Sequence, residues 1–208
     1  MTSERTPAQD AFDETDEAEP LAVGRKRPKP GERRLQILQA LATMLQQPDA
    51  ERITTALLAR QLGISEAALY RHFVSKAQMF DGLIEFIETT LLRLVQHITD
   101  QQPDPLEQAR RVVLTVLQFA EKNPGMCRLM VGDALVHEKP RLMERMDLFF
   151  DKLESALKLR LREAQHPDPA GVAALVMDAV SGRLQRYTRS GFKRQPTADA
   201  QALMALLQ

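Results

Sequence analysis

Apolar side chains recur at intervals of three and four residues along nearly the whole chain from Leu35 to Leu207, the spacing that gives a helix one buried face. The pattern predicts a first helix over residues 32–47, with a stripe of Leu35, Leu38, Leu41, Ala42 and Leu45 that ends at Pro48-Asp49. A long helix is predicted over 78–99, with Phe80, Leu83, Ile84, Ile87, Leu91, Leu94 and Ile98 on its face. Pro103 and Pro105 break the chain before a helix over 106–121, which carries Val112, Val113, Val116, Leu117 and Ala120. Asn123-Pro124-Gly125 reads as a turn, with a shorter helix over 126–136 beyond it. Two long amphipathic helices, 141–164 and 170–190, and a last one over 198–207 complete the set. No segment alternates with the period of two that marks a strand. The expected fold class is all-α.

Between Ile53 and Lys76, reading ITTALLARQLGISEAALYRHFVSK, the pattern shortens into two small helices. Thr54 is placed as an N-cap, and Leu57, Leu58 and Leu62 are spaced for one buried face. Gly63 offers the left-handed conformation that helix ends favour. After Ile64, Ser65 caps a second helix over 65–73, anchored by Ala68 or Leu69 and by Phe73. Two such helices joined by a short Gly-containing turn form a helix-turn-helix. Glu66, Ala67, Tyr70, Arg71 and His72 are left facing outward, and small residues at the start of the second helix let its backbone approach base edges in a major groove. Its N-terminal amides and Ser65, Tyr70, His72 and Lys76 are placed to reach phosphate oxygens. On spacing alone, an ordinary α-hairpin with a solvated polar face competes with DNA reading.

Charge distribution separates the two. The net charge is zero, which by itself argues against a strongly basic nucleic-acid binder. Yet residues 1–24 hold seven acids against Arg5 alone, a net −6, and residues 25–34 hold six cations against Glu32, a net +5. Residues 1–30 lack apolar periodicity and contain four prolines, so they are expected to be disordered. Their acidic part reads first as a solubilising tail, and alternatively as a screen for the basic arm. Arg25, Lys26 and Arg27 stand just before the first helix, where they can lie across phosphates or enter a minor groove. Residues 31–76 would then be a DNA-binding head and 77–208 a helical dimerisation domain. The apolar faces of helices 140–164 and 170–190 look wide for one small bundle, and a homodimer would bury the surplus and pair the heads.

Cys127 is the sole cysteine, which fits a reducing cytosol and a buried small hydrophobe rather than a disulfide or a nucleophile. His72, His97, His137 and His166 are scattered, without metal-ligand spacing. There is no Gly-rich phosphate loop or nucleophile elbow. No enzyme, no metal and no cofactor is expected. No apolar run approaches the roughly 18–20 residues of a membrane span. A separate possibility is an effector pocket in the C-terminal domain, lined by Phe119, Met126, Met130, His137, Phe149 and Phe150, although these residues read first as core.

The basic arm, the head ending in SEAALYRHFVSK and the helical remainder together resemble the TetR family of transcriptional regulators. Within it, RRLQILQALATML, ERITTALLARQLGISEAALYRHF, SKAQMFDGLIEFIE and EKNPG are similar to the nucleoid-occlusion branch, over about residues 33–125. The resemblance implies a cytoplasmic, nucleoid-associated homodimer that binds palindromic sites in double-stranded DNA. Once DNA-bound, such proteins antagonise the division protein FtsZ. On this chain the implied DNA contacts are Thr54, Ser65, Ala67, Tyr70, Arg71, His72 and Lys76. The implied partner surface lies near the long connecting helix and the next one, at Phe86, Lys122 and Asn123. Val74 departs from the family pattern, where proline is commoner, and the acidic extension falls outside the resemblance. A ligand-responsive repressor is the alternative within the same fold.

Overall fold

The computed structural model describes residues 31–47 and 53–208. The expectations for residues 1–30, including Arg25, Lys26 and Arg27, and for Pro48-Asp49 lie outside them. Every element among the described residues is helical. The head consists of α1 (Glu32–Leu45), α2 (Thr55–Leu62) and α3 (Glu66–Tyr70). The body consists of α4 (Lys76–Gln101), α5 (Pro105–Lys122), α6 (Pro124–Met130), α7 (Pro140–Glu163), α8 (Pro169–Arg189) and α9 (Ala200–Met204). Short 3₁₀ turns follow α6, at Asp133–Leu135, and α9, at Ala205–Leu207.

The starts of the long helices are written into the chain. Ser75, Asp104 and Asp168 accept amide hydrogens at the N-termini of α4, α5 and α8, and Pro105, Pro140 and Pro169 occupy first-turn positions where no amide hydrogen is needed. A continuous core then runs from Ile37 in the head to Leu207. Its middle is the buried faces of α4, α5 and α7, with Leu83, Ile84, Leu117, Phe149 and Leu157 at 0–1% exposure. Two arginines of α7 tie it to α4: Arg141 pairs with Asp81, and Arg145 with Asp81 and Glu88. The charged hydrogen bond it donates to Glu88 holds the Arg145 guanidinium above its ordinary ionisation range, outweighing partial burial.

Four sequence expectations change here. The buried stripe of α1 is Ile37, Leu41 and Leu45, while Leu35 is 52% exposed, because both registers keep helical spacing and α4 and α6 select the one they touch. Likewise Leu57 is exposed and Leu58 and Ala59 are buried on α2. The third change is at Asn123-Pro124-Gly125, where the chain makes a direct helix-to-helix junction. Asn123 caps α5 at its C-terminus and precedes α6, with its side-chain amide donating to the Phe119 carbonyl at 2.7 Å. Gly125 is required by a close approach: a Cβ there would lie 2.1 Å from the Ala42 carbonyl oxygen of α1. α6 ends at Met130, well short of the predicted 136, where Gly132 takes a φ of 77°.

On the outer face of α7 and α8, Leu148, Leu159 and Leu175 are 59%, 43% and 54% exposed. Gly182 lies two turns beyond Leu175, and a Cβ there would meet nothing within 4 Å. The expected pocket residues Phe119, Met126, Met130 and Phe149 are buried in the core and Phe150 packs against it, while His137 is exposed.

Candidate nucleic-acid interface

Caps define the reading unit. The Thr54 hydroxyl accepts from Leu57 N at 3.2 Å and the Ser65 hydroxyl from Ala68 N at 3.1 Å. Each of these hydroxyls keeps its own proton to donate to a phosphate. Gly63 closes α2 in the left-handed region, at φ 63°, and the next residues turn directly into α3. At five residues, α3 is shorter than the predicted 65–73 helix. Leu69 and Phe73, both at 0% exposure, pin its inner side, which leaves Ala67, Tyr70, Arg71 and His72 together on an exposed outer side.

The angle between α2 and α3 is held by polar contacts that the sequence reading did not single out. Thr55 Oγ1 donates to Glu66 Oε2 at 2.7 Å, and the Tyr70 hydroxyl approaches Thr55 Oγ1 at 3.5 Å. Glu66 is thus a brace, and Tyr70 both braces and presents its ring at the surface, 45% exposed. Arg34 was legible only as one of the arm's cations. In the structure its guanidinium donates to the His72 carbonyl at 2.9 Å and stacks 4.0 Å from the centre of the Phe73 ring. The root of the basic arm is therefore fastened to the end of the reading helix. Neither Arg34 nor Glu66 carries a local motif for these roles, since the partners are 38 and 11 residues away.

Lys76, expected to reach phosphate, is held in an ion pair within the protein. Its ammonium lies 2.5 Å from Glu138 and 5.4 Å from the centre of the Phe80 ring, with the side chain 28% exposed. The charge is satisfied inside the protein, where the head meets the body. Arg128 works at the same junction: it donates to the Gln47 carbonyl at 3.1 Å, faces Asp133 at 3.3 Å and lies 5.7 Å from the Phe192 ring. The expected partner residues are on two antiparallel helices joined by a short loop. Phe86 and Lys122 stand about 15 to 17 residues from that loop, hence at roughly the same height on α4 and α5. Phe86 is 46% exposed and Lys122 is exposed. The Asn123 amide is occupied as a cap.

Among the described residues no group of three or more His, Cys, Asp or Glu is placed to hold a metal ion, and no helix is long and apolar enough to cross a membrane. Burial pushes the Cys127 thiol up to about 11, partly offset by its contact with Thr188, the opposite of what a nucleophile requires.

Comparison with known proteins follows the same division. Residues 37–83 match the family described as bacterial regulatory proteins, tetR family, and residues 103–208 the SlmA-like tetracyclin repressor-like C-terminal domain. The chain is 47% identical over 187 residues to the nucleoid occlusion factor SlmA of Vibrio vulnificus, covering 86% of this chain and 95% of that one. It is 49% identical over 175 residues to that of a Marinomonas species, covering 81% and 89%. Among solved structures, a TetR-like regulator from Rhodococcus sp. RHA1 superposes with a TM-score of 0.72 at 19% identity, over 87% of this chain and 96% of that one. The regulator FadR of Bacillus subtilis, solved in complex with stearoyl-CoA, superposes at 0.66 and 12%, over 83% and 96%. These two share the fold alone. On the sequence matches, the chain belongs to the TetR family and, within it, to the nucleoid occlusion factor SlmA group.

Proposed function

We propose that this protein is a nucleoid occlusion factor: a homodimer whose heads bind palindromic sites in chromosomal DNA and which, when DNA-bound, antagonises FtsZ assembly over the nucleoid. The observation that carries this is the likeness to SlmA over most of the chain, 47% identity, joined to an exposed α3 face held in place by caps and by Leu69 and Phe73. In this reading residues 31–76 are the DNA-binding head and residues 77–208 the dimerisation and partner-binding domain. Ala67 and Arg71 meet base edges. Thr54, Ser65, Tyr70 and His72 fix the register on phosphates, and Arg25, Lys26 and Arg27 extend the contact along the duplex. The outer face of α7 and α8, with Leu148, Leu159, Leu175 and the open ground above Gly182, is the dimer surface. Phe86 and Lys122, on neighbouring helices, are the ground for FtsZ. Several dimers on one site and residence in the cytoplasm on the nucleoid belong to the same proposal.

Purified protein with a specific duplex is expected to reduce the FtsZ polymer that sediments, and the protein alone to do so less. If FtsZ pellets equally with and without the complex, the division role fails and a local repressor takes its place. A chromosome-wide map of bound sites gives the same decision: dispersed sites support occlusion, and one site beside a neighbouring operon does not. The effector-controlled alternative is weakened by the packing of Phe119, Met126, Met130 and Phe149 into the core, since a ligand pocket needs open apolar volume.

A further inference from the structure

A second basic surface lies away from the reading helix. Arg186 and Arg189 on the last turns of α8 and Lys193 and Arg194 just beyond it are all exposed. None of the four makes an ion pair with a described residue, and no carboxylate occurs in the sequence between Asp178 and Asp199. Arg186, Lys193 and Arg194 line one cleft with Arg183 and a single carboxylate, Asp199, and Arg189 lines the cleft beside it. The loop that presents them is built rather than loose. The Ser190 hydroxyl accepts from Lys193 N at 3.1 Å and Arg194 N at 2.9 Å. Arg183 donates to the carbonyls of Pro196, Ala198 and Asp199. Phe192 holds a φ of 63°, a conformation that costs a non-glycine residue energy, with its ring 5.2 Å from that of Tyr187. Three exposed cations without ion pairs, gathered in one cleft against one carboxylate, leave a net positive field suited to an anionic partner.

We infer that this surface docks the chain's own acidic segment, residues 10–19, and so holds it off the DNA-binding face. Charge matches: the segment carries Asp10, Asp13, Glu14, Asp16, Glu17 and Glu19 and no cation. Place argues against DNA as the occupant. The start of α1 is bonded to the reading helix through Arg34, whereas its far end meets Arg128, which touches Phe192 next to Lys193. The patch is thus set back from the reading helix by about the length of α1, roughly 20 Å. The chain reaches it. Residues 10–19 lie 12 to 21 positions before Gly31, a span of roughly 40 to 70 Å when extended, well beyond the set-back of roughly 20 Å. Undocked, six carboxylates would share the neighbourhood of Arg25, Lys26 and Arg27 and compete with phosphate for them.

Zero-length carbodiimide coupling of the full-length protein, mapped by mass spectrometry, tests the contact without reference to any DNA site or protein partner. Amide links from carboxylates within 10–19 to Lys193 are expected, and they should fall about tenfold in the triple variant R186Q/R189Q/R194Q, three exposed pairs of ordinary strength being lost together. Links confined to Lys26 and Lys29, or no link to Lys193, would overturn the inference. The second arm is a cycle measured by DNA binding. Here the variant is K193Q/R194Q, whose residues lie beyond α8 and off the face given to the dimer: it should weaken DNA binding about three- to tenfold in the full chain, yet change it less than about twofold once the six carboxylates are replaced by their amides. An equal loss in both backgrounds would mean that the patch itself touches DNA, and the docking reading would fall.

Discussion

The reading unit and the head–body junction are built on opposite plans. In α2 and α3 the informative residues are exposed, and they are held mainly by short-range devices, two hydroxyl caps and a left-handed Gly63, with a Thr55–Glu66–Tyr70 brace joining the two helices. At the junction the informative contacts are long-range. Gly125 sits against Ala42, Lys76 against Glu138, and Arg128 reaches back to Gln47. A change in the first region should alter what is bound and leave the fold standing. A change in the second should alter how well the head is carried, and only through that what is bound.

The largest expected effect tests the junction. Gly125→Ala places a methyl group 2.1 Å from a backbone oxygen, and overpacking against an atom that cannot rotate away should cost about 3 kcal/mol. For a chain of this size that is a fall in Tm of roughly 6–12 °C, read by thermal unfolding. A Tm within about 2 °C of the parent would show that α6 and α1 separate freely. Next comes the reading face. Arg71→Ala should weaken specific DNA binding by about 1–3 kcal/mol, or roughly five- to two-hundredfold, with Tm unchanged within about 2 °C. A drop in Tm with no loss of affinity would reverse the comparison.

Two smaller changes sharpen it. Thr54→Ala removes the cap of α2 and should cost about 1 kcal/mol of stability, with a loss of DNA affinity beside it. Lys76→Gln should cost a similar amount or less, because the pair with Glu138 is only partly shielded from water. It should leave affinity within about twofold, whereas a residue on phosphate would lose more. The smallest effect is chemical. With its thiol held protonated up to about 11 against an ordinary 9.0, Cys127 favours the folded state below pH 9. That contribution is lost progressively as pH rises from 9 through 11, where the unfolded chain ionises first. Native protein at pH 8 should therefore react with a thiol reagent far more slowly than unfolded protein, and equal rates would place Cys127 at the surface.

What the sequence reveals divides along the same line. Thr54, Gly63 and Ser65 could be read in place because a cap or a left-handed turn is decided by neighbours a few residues away. The helix starts expected at 141 and 170, one residue from those of α7 and α8, were legible for the same reason. The buried register of α1 was not: Leu35 and Ile37 both fit a helical period, and the choice belongs to the surfaces that pack against them. Gly125 looked like turn chemistry because the sequence contains no trace of the carbonyl of Ala42. Lys76 looked free because Glu138 is 62 positions away. The outward set on α3 was legible from its inward anchors, and Phe86 and Lys122 came from resemblance alone.

The pairing of Lys76 with Glu138 has a thermodynamic consequence. Protein bound to a duplex displaces condensed counterions in proportion to the phosphates it neutralises, and each one adds about 0.9 to the dependence of log affinity on log salt. The six cations from Arg25 to Arg34, together with Lys76, set a ceiling that counts every one of them. Arg34 donates to a neutral carbonyl and stacks on a ring, so it keeps its full charge, whereas Lys76 is paired with Glu138, and one cation per protomer leaves the tally. A dimer should then release about two fewer ions than its basic residues advertise, and lower the slope by roughly 1.8. Such a protein keeps more of its grip as salt rises, and relies correspondingly more on the fit of α3 in the groove.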